Sequence, residues 1–457
     1  MKKATAIGLM ISLLICCCGV FFASANFNDQ DEATGKIQSD IYYMLSLDEE
    51  MEMFSKNADQ KTAPAAFVKV LGAVTALDKW SNLDETIEIT EQNRSLVTYG
   101  YGVRTADLTP GDSYTKRQLI ETLLVYGAND AASVVAYEIS GSAEGFINEM
   151  NAMAKKIGCT RTKIKSLTGF DTSGQCTTAK DVAAIIKYAM QSPVFLEAFS
   201  AKSITLPATS RSGERVLSAD NKMMNSSISD YYVSAVTGGK QTTTSEAGEC
   251  IAVLSAQDGY NYLTVVMKGK MQDIDRDGMS ENTAVTDAKQ LLNWVYNNIR
   301  YRVVATTTQT VSIVNVIAGR NSDTLRLVPE KETSTLVPAK ATSNSVLIKP
   351  IEETVPKRIV APVTAGDVIC QAKIFYADRE IATINLVAAN TVRLSVFRLF
   401  MTHLRSLLSS TVFILIEVAA LILIVLYLIL FIMKNQKKKK PALHRVPDSA
   451  EQKPKTK

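Results

Sequence analysis

The sequence predicts a mixed α/β (α+β) domain, followed by a small all-β domain of sandwich type and one C-terminal transmembrane helix. Between about residues 41 and 299, segments with the 3.6-residue apolar period of helices alternate with strand-like segments, with Gly and Asn at the joints. From about residue 301 to 389 the pattern changes to short period-2 runs rich in Val, Thr and Ile. Residues 411–433 form an apolar run long enough to cross a bilayer.

These patterns predict the boundaries of six regions. They are a signal peptide at 1–25, the mixed domain at 26–299, the β-sandwich at 300–391, an amphipathic juxtamembrane helix at 392–408, the transmembrane helix at 411–433 and a basic tail at 434–457. Helices are predicted at 66–79, 116–127, 131–139, 145–157, 179–190 and 283–297. Strands are predicted at 249–256 and 262–268, joined by a turn at Asp258-Gly259, and at 310–316, 345–349 and 381–387.

Composition and both termini predict an exported, single-pass membrane protein. With 46% hydrophobic residues and a net charge of +4, the chain has the composition of a globular protein, and we expect no nucleic-acid partner. Lys2 and Lys3 precede an apolar stretch and the small-residue triplet Ala23-Ser24-Ala25, after which cleavage is expected. Lysines 437–440 follow the transmembrane run, so the positive-inside rule predicts a cytoplasmic tail and an outer ectodomain in the cell membrane.

Two features near the membrane have open interpretations. Glu417 is the one acidic residue of the apolar run, and an incidental carboxylate near the outer interface is favoured over a functional one. Arg393, Arg398 and Arg405 interrupt an apolar segment just before the run, which indicates an amphipathic helix lying along the bilayer surface.

Four cysteines remain after the predicted cleavage, an even number in a compartment that permits disulfides. Cys159 and Cys176 flank one loop-rich segment and are the favoured pair, while free thiols are the alternative. Cys250 and Cys370 are the other two.

The distribution of histidine excludes several kinds of catalytic site. His403 and His444 are the only histidines, and both lie outside the predicted globular domains. Ser-His-Asp catalysis, Cys-His catalysis and histidine-ligated zinc are therefore excluded there. An exported hydrolase without histidine needs another base, and a lysine beside a serine is the known solution; we expect no cofactor.

One acidic segment resembles a calcium-binding loop. Residues 273–278 read Asp-Ile-Asp-Arg-Asp-Gly, which matches the start of such a loop. Its twelfth position is Ala284 instead of the bidentate glutamate, so we interpret the segment as a solvated acidic loop and expect no metal.

Three segments resemble the catalytic motifs of D-alanyl-D-alanine carboxypeptidases, the low-molecular-weight penicillin-binding proteins. Residues 64–69 read Pro-Ala-Ala-Phe-Val-Lys, where the family has Pro-Ala-Ser-x-x-Lys at the start of a helix. Three residues bring the nucleophile and the lysine onto one helix face. Lys69 remains in this chain, but Ala66, at the position of the nucleophilic serine, has no side-chain oxygen.

The second and third motifs are altered as well. The family's Ser-x-Asn reads Gly127-Ala128-Asn129, so the proton-relaying serine is lost and the substrate-binding amide of Asn129 remains. The family's Lys-Thr-Gly, on an edge strand, reads Lys240-Gln241-Thr242. By the resemblance, Lys240 attracts a peptide's terminal carboxylate, and Thr242 places a branched side chain where glycine lets substrate approach.

The resemblance extends over most of the predicted ectodomain. It implies a penicillin-binding, serine β-lactamase-like transpeptidase domain with an appended β-sandwich. Ser113 and Lys116 form a Ser-x-x-Lys pattern that we interpret as a chance match. Further segments similar to the family are residues 150–158, 167–171, 177–183 and 360–386.

In the family, serine attacks the penultimate D-alanine carbonyl of a peptidoglycan stem peptide. The resemblance implies that the backbone amides of Ala66 and Thr243 would hold the oxyanion. Because both serines and most of the third motif have changed, we predict a pseudoenzyme of peptidoglycan metabolism that binds peptidoglycan or an envelope protein. The residues expected to contact substrate are Asn129, Lys240, Gln241, Thr242 and Thr243.

Two alternatives remain open. One is residual or altered carboxypeptidase activity, with Lys69, Asn129 and Lys240 still orienting the substrate. This alternative predicts covalent labelling by penicillin. The other is a membrane-proximal assembly platform in which the β-sandwich and the amphipathic helix are the working parts.

Overall fold

The computed structural model describes most of the chain between the two termini. The predicted signal peptide and the predicted tail beyond Gln436 lie outside the described part, which comprises residues 35–98, 103–339, 341, 345–376 and 379–436. The chain separates into two compact units. The first is Met1–Thr306, Lys331–Lys349 and Ala372–Ile384, and the second is Thr307–Glu330, Pro350–Gln371 and Asn385–Lys457.

The first unit contains a five-stranded antiparallel sheet. The strands of the first unit up to residue 306, in this sheet and in smaller ones, are β1 (Ile41–Ser46), β2 (Met51–Lys56), β3 (Thr86–Glu88), β4 (Ser113–Thr115), β5 (Ser203–Leu206), β6 (Arg215–Ser218), β7 (Val236–Thr244), β8 (Gly248–Gln257), β9 (Tyr260–Gly269), β10 (Met271–Gln272), β11 (Glu281–Asn282) and β12 (Ile299–Ala305). The large sheet has the order β2-β1-β9-β8-β7, so β7 is an edge strand, as the third motif predicts. The predicted hairpin between β8 and β9, with its turn at Asp258-Gly259, is confirmed.

Helices of the first unit cluster around one that is buried along most of its length. They are α1 (Phe67–Lys79), α2 (Glu91–Arg94), α3 (Lys116–Glu121), α4 (Asn129–Ser140), α5 (Ala143–Ile157), α6 (Ala179–Ala189), α7 (Pro193–Ser200) and α8 (Thr283–Asn298). Every residue of α1 from Phe67 to Ala76 is buried, as expected of a helix that is apolar on nearly all sides. A Cβ added to Gly72 would lie 3.6 Å from Met150 and 3.6 Å from Phe146, which both belong to α5.

The predicted helices are present, with one difference that bears on the site. The segment predicted as one helix at 116–127 becomes a π-helical turn at Thr122–Tyr126 and ends at Gly127, whose φ is +78°. A left-handed residue is a common helix end, and glycine adopts it without strain. Helix α7 was not predicted, although Ser192 as N-cap and Pro193 in the first turn are a start signal.

The strands of the β-rich C-terminal region are divided between the two units, and the last two helices belong to the second unit. The remaining strands are β13 (Ser312–Ile317), β14 (Thr324–Pro329), β15 (Thr333–Pro338), β16 (Val346–Pro350), β17 (Ile359–Val360), β18 (Val368–Tyr376) and β19 (Arg379–Ala388). Within the second unit, β13 pairs with β14 and β17, and β14 pairs with residues 386–388 of β19. Strand β15 pairs with β12 in the first unit.

The two C-terminal helices are α9 (Val396–Leu408) and α10 (Thr411–Gln436). The amphipathic helix begins four residues later than predicted, because Val392 is buried and pairs with Val363 in a β-bridge. Arg398 of α9 forms an ion pair with Asp323 in the same unit. Residues Thr411–Asn435 are long and apolar enough to cross a membrane.

The structure contradicts the expected disulfide and adds one carboxylate to the acidic loop. Each of the four cysteines within the described residues is a free thiol, so the expected Cys159–Cys176 disulfide is wrong. Cys159 Sγ lies 3.5 Å from the Asp181 carbonyl, and Cys176 Sγ lies 3.4 Å from the Arg161 carbonyl. In the acidic loop, Glu281 joins the aspartates, with carboxylate oxygens within 4.8 Å of one another: Asp273, Asp275, Asp277 and Glu281.

Candidate active-site cleft

The three altered motifs converge on one cleft of about 310 Å³ in the first unit. The N-terminal end of α1, the turn before α4 and the edge strand β7 form its walls. Every predicted site residue lines it, and these residues are Ala66, Lys69, Gly127, Asn129, Lys240, Gln241, Thr242 and Thr243. The Ser113-x-x-Lys116 pattern does not contribute to this lining, and Lys116 instead forms an ion pair with Glu85.

The backbone amide at the nucleophile position is already hydrogen-bonded. The N–H of Ala66 donates to Oγ1 of Thr242 at 3.1 Å. The expectation that the amides of Ala66 and Thr243 form an open oxyanion hole is therefore wrong for Ala66. A glycine at position 242, as in the family motif, would have no such hydroxyl. The threonine that stands there therefore both adds a side chain to the strand and occupies the Ala66 amide.

Lys69 is buried and hydrogen-bonded to the main chain. Its ammonium group donates to the carbonyl of Gly127 at 2.6 Å, and only 6% of the residue is exposed. Burial, together with the nearby charges of Lys240 and Arg104, lowers the pKa of Lys69 to about 7. A group of this pKa suits a general base near neutral pH, but Ala66 offers it no hydroxyl proton to remove.

Lys240 occupies space that the second-motif serine would need. Its ammonium group donates to the carbonyls of Leu124 at 2.9 Å and Val125 at 3.3 Å, at the end of the π-helical turn. A Cβ built on Gly127 would lie only 2.9 Å from Lys240 Nζ. Burial lowers the pKa of Lys240 to about 8. In this conformation Lys240 is held by the protein's own carbonyls and does not reach for a ligand carboxylate as expected.

Asn129 places a hydrogen-bond acceptor, its Oδ1 atom, in the wall of the cleft. It begins α4, its backbone N–H donates to the Arg104 carbonyl at 2.8 Å, and only 3% of the residue is exposed. Within the part of the chain that the structure describes, Asn129 Oδ1 has no hydrogen-bond partner. A buried acceptor without a donor costs about 1 to 3 kcal/mol, so a ligand N–H at this position would be stabilised.

The sequence did not predict a charged cluster beside the two lysines. Arg104 forms an ion pair with Asp220, and its guanidinium lies 4.2 Å from the ring centroid of Tyr126. All three line the cleft. Arg104 and Asp220 are 116 positions apart and belong to no motif, so no local pattern indicates the pair.

The segment 167–171, which resembles the family, lines the cleft and contacts two of its walls. Gly169 has φ +86° and packs so tightly that an added Cβ would lie 1.9 Å from the Ala65 carbonyl oxygen. The carboxylate of Asp171 accepts hydrogen bonds from Thr244 Oγ1 at 2.6 Å and Glu246 N at 2.9 Å. These contacts hold the start of α1 and the end of β7 in place.

Gly169→Ala is expected to lower the free energy of unfolding by about 3 kcal/mol or more, because the methyl group overlaps the Ala65 backbone at a left-handed φ. Gly141→Ala is the matched control, since Gly141 has φ +67° and nothing within 4 Å of its added Cβ, and it is expected to cost about 1 kcal/mol. Urea denaturation of both variants measures the difference. Equal losses would show that the packing at Gly169 is not tight.

Two family models match the chain. Residues 28–271 match the D-alanyl-D-alanine carboxypeptidase model, and residues 304–393 match the model of the penicillin-binding protein 5 C-terminal domain. Among curated proteins, the chain is 31% identical over 219 residues to the D-alanyl-D-alanine carboxypeptidase DacB2 of Mycobacterium tuberculosis, covering 47% of this chain and 70% of that protein. It is 26% identical over 324 residues to DacF of Bacillus subtilis, covering 68% and 77%.

Solved structures agree on the fold. The D-alanyl-D-alanine carboxypeptidase DacD from Francisella tularensis superposes with a TM-score of 0.61 at 18% identity, covering 82% of this chain and 97% of that one. Penicillin-binding protein 5 from Haemophilus influenzae gives a TM-score of 0.56 at 20% identity, covering 78% and 98%. The predicted fold, a penicillin-binding α/β domain followed by a β domain, is confirmed. With more than half of its length matched by the first model, the chain belongs to the D-alanyl-D-alanine carboxypeptidase family.

Proposed function

We propose that this protein binds the stem peptide of peptidoglycan in the cleft and does not cleave it. The observation that carries the proposal is the state of position 66. Ala66 has no nucleophilic oxygen, and its N–H is bonded to Thr242 Oγ1. Family membership supports peptidoglycan as the setting. In a serine protease, loss of the nucleophile alone lowers the rate by about 10⁶.

Several features of the cleft still favour a peptide. Oδ1 of Asn129 is a buried acceptor that suits a backbone N–H. Strand β7 is the edge of its sheet, and an extended peptide adds to such an edge through backbone hydrogen bonds. Positive charge from Lys240 and from the protonated fraction of Lys69 favours the peptide's terminal carboxylate, even though Lys240 must leave its carbonyl partners to contact it directly.

The test is calorimetric titration of the full-length protein in detergent with a synthetic stem pentapeptide ending in D-Ala-D-Ala. Native protein is expected to bind it and to release no D-alanine over a long incubation. Asn129→Ala is expected to weaken binding about 10-fold, because the ligand N–H loses its acceptor. The control ligand is the same peptide ending in L-Ala-L-Ala, which should bind more weakly to the native protein.

Two results would contradict the proposal. Release of D-alanine would favour residual carboxypeptidase activity. Absence of binding to the native protein, with the fold intact by circular dichroism, would leave the cleft without a peptide and favour an envelope protein as the partner.

We also propose that the protein is anchored in the cell membrane by α10, with the ectodomain outside. Lysines 437–440 follow α10 directly, which supports a cytoplasmic tail. Protease added to spheroplasts, whose cell membrane is exposed, should degrade the ectodomain and spare a tag fused to the C-terminus. Protection of the ectodomain would contradict this orientation.

A further inference from the structure

The aromatic and acidic residues of α10 lie on one face. The helix contains three aromatic residues and one acidic residue, and all four fall on a single stripe with alternating spacings of three and four residues. A spacing of this kind keeps side chains on one side of a helix over many turns. The stripe is Phe413, Glu417, Ala420, Ile424, Tyr427 and Phe431.

Side-chain contacts along α10 agree with the stripe being one continuous surface. The rings of Tyr427 and Phe431 stack with centroids 6.4 Å apart. Ala420 lies between Glu417 and Ile424, where a small side chain lets another helix approach closely. Between Thr411 and Met433, the positions off the stripe are aliphatic or methionine apart from Thr411 and Ala419. The stripe is thus a distinct surface on an otherwise uniform helix.

For Glu417 we take the functional alternative to the incidental one favoured from the sequence, because the carboxyl has no partner among the described residues. It lies about 9 Å along the helix axis from Thr411, within the apolar span. None of the span is buried by the rest of the protein, so no described residue shields this carboxyl. Ionisable side chains at such depths face another helix or a polar cavity and are paired there.

We propose that α10 mediates a parallel dimer of this chain through the Glu417 stripe. Two copies of one chain insert in the same direction, so equivalent residues meet at the same depth. The two Glu417 side chains then hydrogen-bond to each other, and each provides the partner that the other lacks. Spacings of three and four residues fit the left-handed crossing of about +20° in which such stripes pack. This proposal is independent of what the cleft binds.

Oxidative cross-linking of the full-length protein in native membranes tests the contact. Ala420→Cys and Ala419→Cys are a matched pair, because both replace alanine at adjacent positions and only position 420 lies on the stripe. The half-buried Cys176 is first replaced by alanine to remove a competing thiol. Ala420→Cys is expected to give a disulfide dimer about 5-fold or more in excess of Ala419→Cys. Equal yields, or no dimer from either variant, would overturn the proposal.

Two further variants in the Ala420→Cys background identify what holds the helices together. Exchanging positions 417 and 418, by Glu417→Val with Val418→Glu, keeps the composition and turns the carboxyl about 100° away from the stripe. This exchange is expected to abolish most of the cross-linking. Glu417→Gln is expected to preserve it, because two amides also hydrogen-bond to each other. Loss of the dimer in Glu417→Gln would overturn pairing with a second copy and indicate a partner helix carrying a basic residue.

Discussion

Ala66→Ser alone is expected to be acylated by penicillin very slowly, whereas Ala66→Ser with Thr242→Gly should react about 10²- to 10³-fold faster. The single change restores a hydroxyl beside Lys69, whose lowered pKa of about 7 suits it to act as the base. It leaves the amide of residue 66 bonded to Thr242 Oγ1, so one oxyanion donor stays occupied. Removing the threonine side chain frees that amide, and one oxyanion donor has an effect of this size.

Fluorescent penicillin labelling over time, followed by denaturing gels, gives the rates. Ala66→Ser with Thr243→Gly is the matched control, because it makes the same replacement at the neighbouring position of β7 without freeing the Ala66 amide. Adding Gly127→Ser and Gln241→Thr should increase labelling again, since a serine Cβ at 127 displaces Lys240 from its present position. Labelling of Ala66→Ser as fast as the double variant would show that the Thr242 contact does not block the site.

The protein is expected to become more stable as the pH rises from 6.5 to 8.5. Lys69 and Lys240 have folded pKa values of about 7 and about 8, against 10.5 in the unfolded chain, so the unfolded state binds more protons throughout this window. The free energy of unfolding therefore rises with pH, and the destabilisation by two buried charges is complete only below about pH 7. The expected gain is on the order of 2 to 3 kcal/mol.

Urea denaturation at both pH values measures this gain, and a Lys69→Met, Lys240→Met variant separates it from other titrating groups. In that variant the contribution of the two lysines should disappear, and stability at pH 6.5 should be close to that at pH 8.5. A native protein whose stability is flat or falls over this window, relative to the variant, would show that the two lysines are not buried as described.

The positions of the site residues were predictable because each rests on short-range geometry. Lys69 follows Ala66 by three residues in a helix, and Asn129 starts the helix after a turn. Lys240 lies on a strand whose place at the sheet edge follows from the resemblance to the family. Such arrangements survive loss of the catalytic side chains, because the burial of α1 and the packing of Gly169 maintain them.

What was not predictable depends on side-chain contacts between distant segments. The Ala66–Thr242 hydrogen bond joins residues 176 positions apart, and it depends on the threonine conformation. The hydrogen bonds of Lys240 with the Leu124 and Val125 carbonyls depend on the space that glycine leaves at position 127. The sequence shows that the serine is absent there, but not which side chain fills the space. The Cys159–Cys176 expectation failed for a related reason, because proximity in sequence does not direct two thiols toward each other.

The measurement that tests non-catalytic function most directly is the intact mass of the native protein after incubation with excess benzylpenicillin. A family member with a working nucleophile gains the mass of one penicillin. This protein is expected to keep its mass unchanged, alongside a D-alanyl-D-alanine carboxypeptidase that is fully acylated. A stoichiometric adduct on the native chain, mapped by peptide sequencing to any residue of the cleft, would contradict the account and identify a replacement nucleophile.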